Sequence, residues 1–178
     1  MYLGGAMLFA QKSLLILTFS VTAFLAGCSQ ADEPQKEKKL NSAKINLVQL
    51  DVYKNPSCGC CKKWVKHINE YGFQSTVHNQ ATLSYFKQEK GIQPRYRSCH
   101  TAVSESGYVF EGHVPAKYIQ QFLLEKPSSA LGLSVPAMPV GTPGMEVGDK
   151  FMPYRVLLLN KDGSSEVYAV VNSYKEQF

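Results

Sequence analysis

Three cysteines lie within four consecutive positions in the stretch NPSCGCCKKW, residues 55–64. Cys58 and Cys61 have the C-x-x-C spacing of thiol–disulfide catalysts, and Cys60 lies between them. A helix is predicted to begin here, and the unpaired N–H groups and dipole of a helix N-terminus stabilise thiolates. The pattern therefore predicts activated sulfur, either as a redox pair or as a ligand set for a thiophilic metal.

The middle thiol distinguishes these alternatives. A thiol–disulfide catalyst needs one attacking and one resolving sulfur, so Cys60 would add a competing resolving thiol. Cu(I), by contrast, prefers two or three thiolates, accepts thioethers, and can be bridged by closely spaced sulfurs when several ions bind. We therefore predict a copper-binding protein. The main alternative is an oxidoreductase in which Cys58 attacks and Cys61 resolves, and a zinc site or structural disulfides form a further one.

Two more candidate donors lie farther along the chain, Cys99 in SCHTAV and His113 in EGHVPA. We expect both to approach the three cysteines, although a free cysteine is often simply a small buried residue. His100 adjoins Cys99, but neighbouring residues of a regular strand point to opposite faces. Both would therefore face the site only if the strand began after them. His67 and His78 are predicted to be surface residues.

Residues 127–153 contain five prolines and four glycines and show no periodicity. Because fixed prolines restrict the backbone, we predict a long ordered loop here. The loop holds every methionine that follows residue 27, and these are Met138, Met145 and Met152. Thioethers are soft donors that suit copper, and Met138 and Met145 are the candidates of this kind ahead of Met152. The alternative is that all three fill irregular gaps in the core.

The elements that must position these residues follow from hydrophobic periodicity and turn signals. Strands are predicted near residues 46–54, at FQSTVHN, SCHTAV and GYVFEGH, and in a C-terminal hairpin. Helices are predicted at CKKWVKHINEYG, with Ser57 as candidate N-cap and Trp64 in the core, and at ATLSYFKQEKG and PAKYIQQFLLEKP. This order resembles the thioredoxin-like fold. The predicted class is α/β (α+β), with a thioredoxin-like β-α-β-(α)-β-β-α core, a long Pro/Gly/Met loop and a C-terminal β-hairpin.

The N-terminus predicts export. Residues 1–27 contain one cation, Lys12, and then the apolar run SLLILTFSVTAFL, which is typical of a signal peptide. The sequence LAGC, ending at Cys28, resembles the lipobox of bacterial lipoproteins, although an ordinary signal with an incidental cysteine is the alternative. Residues 28–46 read as a lipidated N-terminus and flexible tether, and 47–178 as the metal-binding domain. We expect a lipid-anchored protein of the bacterial cell envelope, at the outer membrane and facing the periplasm.

The overall composition limits the other functions. The chain has 178 residues, 44% of them hydrophobic, which suffices for one core. Its formal net charge of +5 is modest, and no basic block is interleaved with aromatic residues. Nucleic acid is therefore not an expected partner.

Four motifs occur in order along the chain, NPSCGCCKKW, SCHTAV, GYVFEGHVPA and GLSVPAMPVGTPGME. Together they resemble the CopG-type copper-resistance family, a domain of unknown function, over roughly residues 47–172. The resemblance implies a thioredoxin-like periplasmic protein that binds copper through Cys58, Cys60 and Cys61, with Cys99 and His113 as auxiliary ligands. It also implies that several copper ions can cluster and change oxidation state. Other periplasmic copper-handling proteins are the expected partners, and any enzymatic activity would be that of a thiol or copper oxidoreductase.

Overall fold

The computed structural model describes residues 47–178. The strands in this part of the chain are β1 (Val48–Lys54), β2 (Phe73–Asn79), β3 (His100–Ser104), β4 (Val109–Gly112), β5 (Ala130–Val135), β6 (Tyr154–Asn160) and β7 (Ser165–Val171). The helices are α1 (Gly59–Glu70), α2 (Ser84–Glu89) and α3 (Ala116–Glu125), with short 3₁₀ helices at Pro94–Tyr96 and Tyr174–Gln177. The predicted signal peptide, the lipidation site Cys28 and the tether lie outside the described residues.

All seven strands form one mixed sheet in the order β2-β1-β3-β4-β5-β6-β7. The pairs β1–β2 and β4–β5 are parallel, and the other pairs are antiparallel. The predicted mixed α/β class is confirmed. The order β1-α1-β2-α2-β3-β4-α3 agrees with the order predicted from the sequence, and the thioredoxin-like assignment of this core stays a prediction.

The prediction of one continuous loop over residues 127–153 is wrong in part, because β5 lies inside it. This strand pairs with β4 on one side and β6 on the other, so it joins the C-terminal hairpin to the rest of the sheet. Nearly all of its residues are buried, which removes the alternating pattern that marks a half-exposed strand. Gly132 in its middle also weakened the strand signal, yet a Cβ there would lie 1.8 Å from the Val109 carbonyl oxygen.

The larger hydrophobic cluster joins the sheet to α1 and α3. Trp64 and Ile68 of α1 and Ile119 and Phe122 of α3 are fully buried, and each such side chain contributes about 1.5–3 kcal/mol on leaving water. The prediction that Trp64 is a core residue is confirmed. Its indole Nε1–H donates to the Val114 carbonyl at 2.9 Å, which ties α1 to the segment that follows β4.

Among residues 47–178, no helix combines the length and the apolar character that crossing a membrane requires.

Candidate metal centre

A short turn between β1 and α1 presents the first cysteines. The Lys54 ammonium, at the end of β1, donates to the Asn55 carbonyl at 2.9 Å and to Asn79 Oδ1 at 3.1 Å. Asn55 Oδ1 in turn accepts from the backbone N–H of Ser57 at 2.9 Å and from its hydroxyl at 2.6 Å. The Ser57 hydroxyl is therefore used inside the turn, and the prediction that it caps α1 is wrong. The N-cap is Cys58.

We call Cys58, Cys60 and Cys61 the helix-tip group. Cys58 and Cys61 are joined by a disulfide with a Cα–Cα distance of 5.4 Å, whereas Cys60 and Cys99 are free. The Cys60 sulfur lies 3.5 Å from that of Cys58. The four sulfurs, including that of Cys99, all lie within 4.8 Å of one another. The fold therefore brings the distant Cys99 to the helix-tip group.

We call Cys99, His100 and His113 the strand-end group, because they lie where β3 begins and β4 ends. Cys99 Sγ is 3.2 Å from His100 Nδ1 and 3.1 Å from His113 Nε2. The three donor atoms lie within 4.8 Å of one another. Cys99 precedes β3 and His100 is its first residue, so the alternation of a regular strand does not separate these neighbours. Cys99 is a member of the strand-end group, and its sulfur also lies within 4.8 Å of the three helix-tip sulfurs.

The His113 ring has a defined tautomer. Its Nδ1 lies 2.7 Å from the Pro143 carbonyl oxygen, which can only accept a hydrogen bond, so Nδ1 carries the proton. The lone pair of the neutral ring is then on Nε2, which faces Cys99. The Cys99 S–H group donates to this lone pair, and a metal ion would take the place of that proton. Such carbonyl contacts commonly orient histidine ligands.

Burial sets the protonation states of the strand-end group. It is the main cause that raises the pKa of Cys99 to about 12, and the neighbouring Cys60 adds to the shift. Burial also lowers the pKa of His113 and holds that of His100 well below its usual range, with a further contribution from His113. At neutral pH both imidazoles are therefore uncharged, and metal binding at Cys99 would release a proton.

His100 is fully buried, and among the described residues its Nε2 lacks a hydrogen bond of good geometry, although the Gly112 backbone lies close to the ring. Its ring packs against Trp64, with a centroid distance of 4.3 Å. Unpaired buried polar atoms are uncommon and cost about 1–3 kcal/mol. The same ring orientation that leaves Nε2 without a good partner places Nδ1 next to the Cys99 sulfur.

A buried ion pair, which the sequence analysis missed, lies beneath Cys99. The ammonium of Lys87 on α2 contacts Glu111 Oε1 on β4 and donates to the Ser98 carbonyl at 2.6 Å. The Ser98 N–H donates to the same Glu111 oxygen at 2.6 Å. Glu111 lies within the GYVFEGHVPA motif, whereas Lys87 lies in none of the four motifs. The only sequence signal is an acidic residue inside the otherwise apolar strand pattern YVFEG.

The loop after β5 packs against α1 and contacts His113. Its Gly144 packs so closely on α1 that a Cβ there would lie 2.6 Å from the Cys60 carbonyl oxygen. Met145 follows directly and is half-buried. Met138 follows Ala137, whose carbonyl accepts a hydrogen bond from the Ser98 hydroxyl, and its side chain is 48% exposed. Met152 is also exposed. The proposed metal roles of these methionines stay predictions.

The two remaining histidines differ from each other. The prediction that His67 is a surface residue is wrong, because it is buried and its Nε2 accepts a hydrogen bond from the Ala116 N–H at 3.1 Å. Its lone pair is thus used by the backbone at the start of α3. His78 is partly exposed and pairs with Asp51 at 2.8 Å.

Comparison with known proteins adds a family relationship. Residues 96–145, which include the strand-end group and most of the loop, match the model of a family described as "Protein of unknown function, DUF411". Two solved structures named "Copper resistance protein copG", Form 1 and Form 2, are each 40% identical to this chain with a TM-score of 0.66. Each alignment covers 71% of this chain and 99% of the other. No match is found among curated proteins.

Proposed function

This chain belongs to the CopG-type copper-resistance family, and from that premise we propose that it binds copper through the helix-tip and strand-end groups. The two similar structures are named copper resistance proteins, which supports copper as the ion. We propose further that the bound form is Cu(I), that several ions can share the sulfurs, and that binding contributes to copper tolerance. Sulfur ligands suit Cu(I), and burying the ion in them limits its release and its redox reactions.

One observation carries the proposal, the convergence of four cysteine sulfurs within 4.8 Å of one another. Two thiolates that share one ion through bonds of about 2.3 Å lie no more than about 4.6 Å apart. The four sulfurs therefore need only small movements to share an ion. Cys99 also contacts both imidazoles, so its thiolate can bridge an ion in the helix-tip group and an ion in the strand-end group.

The disulfide makes this donor set depend on redox state. While Cys58 and Cys61 are bonded to each other, neither can serve as a thiolate. Reduction by a dithiol would transfer two electrons and two protons, and would open the bond to two thiols. The full helix-tip group is therefore the donor set of the reduced protein, whereas the strand-end group keeps its three donors in both states.

For the cellular location we propose the bacterial envelope. A lipid on Cys28 would hold the chain at the outer membrane, and residues 28–46 would let the domain reach other copper-handling proteins of the periplasm. The LAGC sequence supports this proposal.

A second function is favoured by the Cys58–Cys61 disulfide, which is the bond a thiol–disulfide oxidoreductase would form. Cys58 lies at the tip of α1, where the helix dipole stabilises its thiolate. In this alternative Cys58 attacks a substrate disulfide and Cys61 resolves the mixed disulfide.

Replacing Cys60 separates the two functions, because only the copper site needs the middle thiol. In reduced protein handled without oxygen, Cys60→Ser should lower the number of bound copper ions per chain, measured by metal analysis, while Ser57→Ala as the neighbouring control leaves it unchanged. The oxidoreductase function would be supported instead if Cys60→Ser bound copper normally while Cys58→Ser abolished disulfide reduction.

A further inference from the structure

We propose that the buried Lys87–Glu111 ion pair is a positioning device that turns Cys99 and His100 toward the same copper site. This inference rests on the copper-binding function proposed above. Neither residue is within the donor groups themselves, so both act through the backbone that carries the donors.

The Glu111 carboxylate holds the chain on both sides of the two donors. Its Oε1 accepts the Ser98 N–H at 2.6 Å, one residue before Cys99. Its Oε2 accepts the Thr101 hydroxyl at 2.5 Å, one residue after His100. One side chain therefore fixes both ends of the dipeptide. Glu111 also precedes His113 by two residues on the same segment.

Lys87 completes the arrangement by fixing the other side of the Ser98 residue. Its ammonium donates to the Ser98 carbonyl at 2.6 Å, and the Ser98 hydroxyl donates to the Ala137 carbonyl. The N–H, carbonyl and hydroxyl of Ser98 are thus all bonded. The backbone is held out of the strand until His100, and Cys99 can face the same side as its neighbour.

Stability alone does not explain the pair. Lys87 is 3% exposed and Glu111 is fully buried, so both charges have lost their hydration. Replacing buried ion pairs by apolar residues is often neutral or stabilising, because the desolvation cost can exceed the attraction. The geometry that the pair imposes on Ser98 and Thr101 explains its presence better. The exposed pair Lys66–Glu70 on α1, with a separation of 3.7 Å, keeps its hydration and therefore serves as a control.

The test uses Lys87→Met/Glu111→Gln, which removes both charges together and so avoids leaving one buried charge unpaired. Cu(I) is titrated into the reduced full-length protein without oxygen, in competition with a chromophoric Cu(I) chelator. We expect the affinity to fall about tenfold or more, the usual effect of losing a residue that orients a ligand. The matched control Lys66→Met/Glu70→Gln should change it by less than about twofold, because exposed ion pairs contribute little.

The same double substitution is then made together with Cys99→Ser. A positioning role predicts a smaller further loss there, because one of the two donors that the pair positions is gone while His100 remains. Unchanged affinity in the first variant, or an equal loss with and without Cys99, would overturn the inference. Wild-type protein that binds no Cu(I) would instead overturn the proposed function, and the inference with it.

A milder variant covers the case in which the double variant does not fold. Thr101→Val removes one hydrogen bond to Glu111 and keeps the ion pair. It should lower the Cu(I) affinity about fivefold and speed the alkylation of Cys99 in metal-free protein, followed by mass spectrometry. Wild-type affinity together with a wild-type alkylation rate in this variant would contradict the positioning role.

Discussion

The helix-tip and strand-end groups provide donors in opposite ways. The helix-tip group is local, since three residues at the start of one helix supply all its sulfurs, and two of them close into a disulfide. The strand-end group is assembled from residues 99, 100 and 113 and depends on contacts made by other elements. It has one thiol and two imidazoles, so it cannot form a disulfide of its own. Oxidation therefore removes two thiolates from the helix-tip group and none from the strand-end group. The Cys99 sulfur lies close enough to both groups to bridge them.

Removing the shared sulfur should have the largest effect. Cys99→Ser removes a strand-end donor whose sulfur also lies within 4.8 Å of the three helix-tip sulfurs, so we expect the Cu(I) affinity to fall by more than about a hundredfold, beyond the loss caused by changing an orienting residue. Competition titration of reduced protein measures it, with Ser57→Ala as control. If Cys99→Ser weakened binding no more than Cys60→Ser does, Cys99 would be an ordinary member of one group and not a bridge.

The strand-end group can be disturbed alone through Gly112. Its φ of +75° is unfavourable for other residues, and a Cβ would lie 2.5 Å from the Val135 carbonyl oxygen and 2.6 Å from Ser98 Cβ. We expect Gly112→Ala to lower the free energy of unfolding by about 2–4 kcal/mol and to weaken copper binding. Gly107→Ala, at φ +85° with open space around it, isolates the backbone cost of about 1–2 kcal/mol. Equal unfolding free energies for the two variants would contradict the close contact.

The helix-tip group can be disturbed through Gly144, which packs on the first turn of α1. Its Cβ would lie 2.6 Å from the Cys60 carbonyl oxygen and 2.8 Å from the Trp64 backbone nitrogen, and its φ is +89°. We expect Gly144→Ala to cost about 2–4 kcal/mol of unfolding free energy and to lower copper binding by reduced protein more than by disulfide-bonded protein, in which the only effect on binding would act through the adjacent Pro143 carbonyl and His113. An equal reduction in both redox states would show that the two groups are not separable.

His67 tests whether burial alone turns a histidine into a donor. Burial lowers its pKa to about 4, against smaller opposing effects of Glu146 and Glu70. Unfolding restores an ordinary pKa near 6.5, so the unfolded chain binds more protons between these values. The stabilisation from neutral His67 is complete above about pH 6.5 and is lost as the pH falls through 4, a change of up to about 3 kcal/mol.

The measurement for His67 is the unfolding free energy from pH 4 to 8. His67→Gln should flatten this profile and leave Cu(I) affinity unchanged, because the lone pair of His67 is already used by the Ala116 N–H. A loss of copper affinity in this variant would contradict the assignment of His67 as structural.

The methionines should give the smallest effect. Replacing Met138 and Met145 with leucine keeps the bulk and removes the thioethers, so we expect the Cu(I) affinity to fall only two- to fivefold, as weak donors would. Val147→Leu serves as the control, since its side chain is exposed on the same loop and carries no donor atom. Unchanged affinity in the double variant would assign both methionines to packing.

The parts of the fold with a strong local pattern could be predicted from the sequence. The α1 stripe containing Trp64 and the turn before it placed the helix-tip group between β1 and α1, as the structure has it. The strand β5 could not be found in this way, because a strand buried on both faces has no alternation and Gly132 resembles a loop residue. His67 was misplaced for a related reason, since its burial depends on α3, which is distant in sequence.

In the site too, the locally encoded donors could be predicted and those placed by distant contacts could not. The spacing of three cysteines is visible in a ten-residue stretch, whereas the approach of His100 depends on where β3 begins. Lys87 and Glu111 fix the start of β3 through hydrogen bonds to Ser98. Hydrophobic periodicity does not predict these bonds. Contacts of this kind arise only once α2 and β4 are packed, so the acidic residue in YVFEG indicates a buried charge but does not identify its partners.

The central claim is that the clustered thiolates bind copper, and thiol counting combined with metal analysis tests it most directly. Protein is purified under reducing conditions without oxygen, loaded with Cu(I) and freed of unbound metal, and its copper content and alkylatable cysteines are then measured. We predict bound copper together with protection of Cys58, Cys60, Cys61 and Cys99, all of which become reactive when a chelator removes the metal. Full reactivity of these four thiols with no retained copper would contradict the account.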